Sequence, residues 1–132
     1  MKTRYSLVAF FFLLLLISCA PGRKVGGEVS GTVEFAGKPL NYGAITILGE
    51  DRHTDISVVK DGKYAFKLPP FGKCKLTILT APPPAPDGVD FTKHEPPADY
   101  IEVPERYGRP ETSLLELDVT EAPQTHNIKL TR

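Results

Sequence analysis

From residue 28 onward the chain alternates apolar and polar positions in short runs. Glu28 to Phe35 (EVSGTVEF) sets Val29, Gly31, Val33 and Phe35 against polar neighbours, and this period of two predicts a half-buried strand. Gly37-Lys38-Pro39 turns the chain, and Asn41-Tyr42-Gly43 leads into a second run, Ala44 to Leu48 (AITIL). Gly72 to Ile78 alternates Cys74, Leu76 and Ile78 with Lys73, Lys75 and Thr77, which places the Cys74 thiol on an apolar strand face. A free cysteine behaves there as a small hydrophobe, and the flanking lysines point to the other face. Two last strands, Ser113 to Val119 and Thr125 to Leu130, are joined by Thr120 to Gln124. No segment carries an apolar stripe at helical spacing, and 13 prolines and 11 glycines work against helices. The expected fold class is all-β, with seven short strands in a Greek-key-type two-sheet sandwich.

The stretch Thr54 to Leu68 reads as a hairpin whose register is set by burial. A two-residue turn at Asp61-Gly62 would set Val58 against Ala65 and Ser57 against Phe66, dividing the large apolar residues between two faces. A three-residue loop, Lys60-Asp61-Gly62, sets Val58 against Tyr64 and Ile56 against Phe66, so that all four share one face with Leu68. A slip of one residue reverses every side chain, so core burial predicts the three-residue loop, closed by Gly62 in the left-handed region.

Between the strands lies a stretch of another kind. Residues 81–110 hold eight prolines and begin Ala81-Pro82-Pro83-Pro84-Ala85-Pro86, a stiff, extended start. Loops beyond about 12–15 residues are uncommon in compact domains and tend to be functional. Phe91, Tyr100 and Tyr107 are its candidate contacts to an envelope protein or a glycan. The competing reading has the same rings folding back over a sheet edge, since aromatic side chains usually serve burial.

Ahead of the strands, Lys2 and Arg4 precede eleven consecutive apolar residues, Leu7 to Ile17, and then a small Ser18. That order is the one an export signal needs, and the apolar part is far short of the roughly 20 residues of a spanning helix. Leu16-Ile17-Ser18-Cys19 resembles a bacterial lipobox. The resemblance implies a diacylglyceryl thioether on the Cys19 sulfur, cleavage between Ser18 and Cys19, and acylation (palmitate or a similar chain) of the new amino terminus. Only a thiolate is nucleophilic enough for the lipid transfer, and two or three acyl chains anchor stably where one does not. The expected organisation is a signal peptide at 1–18, a lipidated tether at 19–27 and one sandwich domain at 28–132, with the proline-rich loop at 81–110.

Charge narrows the partners. The whole chain balances 16 basic and 16 acidic residues; residues 1–18 hold two of the basic ones and no acid, leaving 14 against 16 and a formal charge of −2 from Cys19 onward. Lysines and arginines are interleaved with acids, so nucleic acid is not an expected partner. The 114 residues from Cys19 suit one domain with one core.

The turn and core residues carry a second likeness. Val29-Ser30-Gly31-Thr32-Val33, Gly37-Lys38-Pro39-Leu40, Gly43-Ala44, Asp61-Gly62-Lys63-Tyr64 and Leu68-Pro69-Pro70 resemble the carboxypeptidase regulatory-like domain, a transthyretin-like (prealbumin-like) β-sandwich. Val103-Pro104-Glu105-Arg106-Tyr107 and Ser113 to Val119 further resemble small bacterial lipoproteins that carry this domain behind a lipobox. The sequence departs from the pattern where Phe71 precedes Gly72 and where Cys74 replaces an aromatic. These motifs specify a fold far better than a function.

No enzyme pattern accompanies the likeness. A zinc carboxypeptidase needs His-x-x-Glu and a distant His, whereas the histidines stand in His53-Thr54-Asp55, His94-Glu95-Pro96 and His126-Asn127-Ile128. The transthyretin-related hydrolase ends Tyr-Arg-Gly-Ser, and this chain ends Lys129-Leu130-Thr131-Arg132. Leu68-Pro69-Pro70-Phe71-Gly72 lacks the threonine of a sortase signal, and the first strand has no lysine for an isopeptide bond to Asn127. The expectation is a non-catalytic lipoprotein without catalytic residues, metal or cofactor. It is held to the membrane through Cys19, either on the outer membrane facing the periplasm or at the cell surface, and acts as a binding or structural module. The alternative, an enzyme or metal-binding protein on the same sandwich, requires His, Asp and Glu to converge in a pocket.

Overall fold

A computed structural model describes residues 22–132, leaving the Phe91 side chain aside. The expected signal cleavage at Ser18 and lipid attachment at Cys19 lie outside the described residues. The chain is all-β and builds two sheets that pack together, compatible with a β-sandwich. In the first sheet β1 (Val29–Phe35) is central. It pairs antiparallel with β2 (Lys38–Pro39) and β5 (Lys63–Phe66), and parallel with β8 (Gln124–Thr125) and β9 (Ile128–Leu130). The second sheet runs β4 (Thr54–Val59), β3 (Gly43–Gly49), β6 (Gly72–Leu79), β7 (Leu115–Val119), all antiparallel.

Alternation explains which faces meet. Val29, Val33 and Phe66 with Ile128 and Leu130 from one sheet face Ile45, Ile47, Cys74, Leu76 and Ile78 from the other, and all are buried. The corners are closed by side chains. At one, the Ser57 hydroxyl accepts from the Ala65 N–H (2.9 Å) and the Asp55 carboxylate from the Leu68 N–H (3.1 Å), tying β4 to β5 and its exit. At the other, the Gln124 amide donates to the Asp118 carbonyl (3.0 Å) and accepts from the Thr120 N–H (2.9 Å), tying β7 to β8. Edge backbone groups that would otherwise be orphaned are satisfied in this way.

Among the described residues nine strands stand where seven were expected. β2 is a two-residue addition after a turn at Ala36 (φ 49°) and Gly37 (φ 82°). The last expected strand divides at His126-Asn127 into β8 and β9.

The expected register of the 54–68 hairpin is wrong. Asp61 (φ 53°) and Gly62 (φ 71°) form a two-residue type I′ turn, closed by Lys60 and Lys63 exchanging both backbone hydrogen bonds at 3.0 and 2.9 Å. Ser57, Val59, Tyr64 and Phe66 are the buried residues, while Ile56, Val58 and Leu68 are 63%, 75% and 64% exposed. The register argument assumed that both strands share one sheet face. They do not pair beyond the turn, because β4 joins β3 and β5 joins β1, so the chain changes sheets there and the outer face of β4 is free to carry Ile56 and Val58. Gly62 is required twice over: its φ is left-handed, and a Cβ would lie 2.7 Å from that of Pro39.

The two ends of the sandwich differ. One gathers the start of β1, the β3–β4 and β5–β6 connections and the segment after β7. The opposite end carries the turns at 36–43 and 60–62, the exit of β6 and the last residues after β9. An eight-residue β6 makes these ends about 25 Å apart.

Candidate functional site

The proline-rich stretch leaves β6 at Thr80 and is pinned where it returns, the Thr80 hydroxyl accepting from the Val103 N–H at 3.1 Å. Val103 and Tyr107 are buried, and Ile101 packs against the core. Residues 81–102 therefore form an excursion with a closed base at the end remote from the start of β1. Within it, Asp90 accepts from the backbone and hydroxyl of Thr92 (3.0 and 2.8 Å), which holds its carboxyl below the usual range and caps a short 3-10 turn, Phe91–Lys93.

The three candidate contact residues occupy different settings. Phe91 opens that 3-10 turn. Tyr100 is half-buried, its ring 6.4 Å from that of Tyr42, beside a hydrogen bond from the Asn41 amide to Asp99 (2.9 Å). Tyr107 is only 7% exposed. Its hydroxyl donates to the Thr131 carbonyl (3.1 Å) and accepts from the Thr131 N–H (3.2 Å), while Arg106 lies over the ring and also donates to that carbonyl (2.8 Å). Tyr107 thus clamps the loop's base to the chain after β9, and the outward-facing part of the excursion is 81–100.

A second concave feature was not legible in the sequence. An open groove of about 550 Å³ crosses the four-stranded sheet, lined by Leu48, Lys73, Lys75, Glu116 and Asp118 and by Pro110 and Glu111 from the end of the loop. Lys73 stands opposite Asp118 and Lys75 opposite Glu116 in the β6–β7 register, so the charges of the groove alternate. The signal was the outward set of each strand, but which two strands would sit beside β6 depends on pairing across long sequence separations.

The Cys74 thiol is buried, and the three histidines stand apart. The Cys74 thiol is 3% exposed and donates to the Gly72 (3.3 Å) and Pro70 (3.5 Å) carbonyls; burial, with Asp118, Asp51 and Glu50 nearby, pushes it up to about 11, far from a reactive thiolate. His53 lies in the β3–β4 turn, His94 in the excursion and His126 between β8 and β9. Among the described residues no three His, Cys, Asp or Glu side chains converge as metal ligands, and no helix is long and apolar enough to cross a membrane.

Burial makes stability fall in alkali. Tyr64 is 4% exposed and its phenol is pushed up from 10.0 to about 12 by burial. Its neutral form is the one the fold holds, so its contribution is intact below pH 10 and is lost as pH rises through 12, because the unfolded chain ionises first. Cys74 acts in the same sense from pH 9 to 11. Unfolding free energy measured in urea is expected to drop by about 2 kcal/mol between pH 10 and 12 through Tyr64. Tyr64→Phe should flatten that part of the profile, and an unchanged slope in the variant would show that Tyr64 is not the group responsible.

Compared with known proteins, the chain matches no family model, no curated protein and no solved structure.

Proposed function

We propose that the protein is a lipid-anchored, non-catalytic cell-envelope lipoprotein. Its transthyretin-like, carboxypeptidase regulatory-like sandwich acts as a binding or structural module, on the outer membrane facing the periplasm or at the cell surface. The observation that carries the anchor is Leu16-Ile17-Ser18-Cys19 standing directly after a charged start and eleven apolar residues. The packing of two sheets and the Gly-rich turns at Gly37 and Gly62 support the finer fold assignment. The module reading is supported by the loop: it is closed at its base by Thr80–Val103 and Tyr107–Thr131, and it stands at the end opposite residues 23–27.

An envelope protein or a glycan would be taken by the 81–100 excursion, with Tyr100 and Phe91 as its aromatic contacts. The test is capture of the partner by the lipidated protein in its own envelope, compared with a variant lacking residues 82–98. Because the base of the loop is held independently, the deletion is expected to abolish capture and to move the thermal midpoint by no more than a few degrees. A folded deletion variant that captures the same partner would overturn the assignment of the loop.

A further inference from the structure

We infer that the end of the sandwich bearing Val25, Leu68 and Phe71 rests on the lipid bilayer, so that the domain stands upright and the 81–100 excursion points away from the membrane. This inference rests on the lipidation of Cys19 proposed above.

Chain length is the first argument. The segment after Cys19 is fixed to the fold early. Arg23 pairs with Asp51 (3.5 Å), and Lys24 pairs with Glu121 (2.8 Å) while lying 3.8 Å over the Phe71 ring. Val25 bridges to Pro70, the Gly26 N–H donates to the Pro69 carbonyl (2.9 Å) and the Gly27 N–H to that of Thr120 (2.8 Å). Both glycines sit in close contacts, since a Cβ would lie 2.2 Å from a Val119 methyl at Gly26 and 2.5 Å from the Ala122 carbonyl carbon at Gly27. Only four Cα steps then separate the lipid-bearing residue from Arg23, a reach of about 15 Å at full extension. The headgroup layer itself occupies roughly 5–8 Å of that on each side of the bilayer. Even stretched, the linker leaves this end of the domain less than about 10 Å above the headgroups, whereas the opposite end is about 25 Å further along the strands.

Surface chemistry is the second. Val25, Leu68 and Phe71 are 38%, 64% and 39% exposed and lie on the segments gathered at this end. Three of its acidic residues are paired, Asp51 with Arg23, Glu121 with Lys24 and Glu28 with Lys67, which reduces the negative charge facing an anionic headgroup layer. An aromatic ring and aliphatic side chains beside lysine stems suit the boundary between headgroups and acyl chains.

The protein contains no tryptophan, so a single introduced indole reports its own surroundings. Full-length lipidated Phe71→Trp and Lys60→Trp, the latter in the turn at the far end, would be reconstituted into phosphatidylethanolamine–phosphatidylglycerol vesicles containing bromine-labelled lipid. The Phe71→Trp indole is expected to be quenched at least threefold more than the Lys60→Trp indole, with its emission shifted to the blue. Equal quenching, or stronger quenching at position 60, in samples that float with the vesicles and carry the lipid mass would overturn the orientation and leave the anchor standing. Samples without lipid mass would overturn the anchor and the orientation with it.

Discussion

Replacing Cys19 by Ala is expected to move the protein from the membrane to the soluble fraction. Each buried methylene of an acyl chain contributes roughly 0.8 kcal/mol, so two or three chains hold a domain stably, and nothing among the described residues approaches that energy. The exposed apolar side chains at the membrane-facing end, Val25, Leu68 and Phe71, are few and only partly available, too little to retain the domain alone. The cleanest form of the experiment exchanges residues 1–18 for an ordinary export signal, so that an uncut precursor does not confuse the fractions. Vesicle flotation should then recover nearly all of the wild-type protein and less than about a tenth of the variant, and intact mass should show the diacylglyceryl group on the wild type alone. A variant that still floats, or a wild-type protein without lipid mass, would remove the anchor and with it the envelope assignment.

What the sequence revealed of this fold is what depends on near neighbours. β1, β3, β6 and β7 were legible because their residues alternate within one strand, and the inward-facing Cys74 followed from the same period. The 54–68 turn was misread although Asp61-Gly62 is the strongest short-range signal for a type I′ turn, because the argument weighed Ile56 and Val58 against Tyr64 and Phe66 as if one sheet held them all. Which sheet receives β5 is decided by Val29↔Phe66 and Gly31↔Tyr64, contacts more than thirty residues away in sequence. Residues 19–27 read as a tether for a similar reason. Gly26-Gly27 looks flexible in isolation and is held by the Pro69 and Thr120 carbonyls, in a place where Val119 and Ala122 leave no space for a Cβ. The ring of Tyr107 was equally ambiguous, since its partners are backbone groups of Thr131, at the far end of the chain. The excursion itself was visible from its prolines, but its closed base was not.

The division between β8 and β9 leads to a large stability effect, which falls on a residue with no side chain. At His126-Asn127 the ladder is interrupted without a change of register, and the His126 carbonyl turns inward over Gly31. A carbonyl facing a core must be satisfied, and the Tyr64 hydroxyl donates to it. The Asn127 side chain secures this break from the other side, accepting from the Thr32 N–H (3.1 Å) and hydroxyl (3.2 Å), and the His126 N–H donates to the Ser30 carbonyl (2.8 Å). A Cβ at position 31 would lie 1.9 Å from the His126 oxygen and 2.6 Å from its carbonyl carbon, so Gly31→Ala cannot be absorbed by a rotamer change. The parallel strands must separate there, which strains the overpacked site by about 1–3 kcal/mol and forfeits hydrogen bonds worth roughly 1 kcal/mol each. A total loss of about 3–5 kcal/mol is expected, a large part of the stability of a domain this size. Tyr64→Phe, which leaves the strands in place and only strips the His126 carbonyl of a partner, should cost about 1–3 kcal/mol. Urea unfolding of both variants beside the wild type checks the order. If Gly31→Ala proved the milder of the two, the inward carbonyl could not be what fixes the position of β9 against β1.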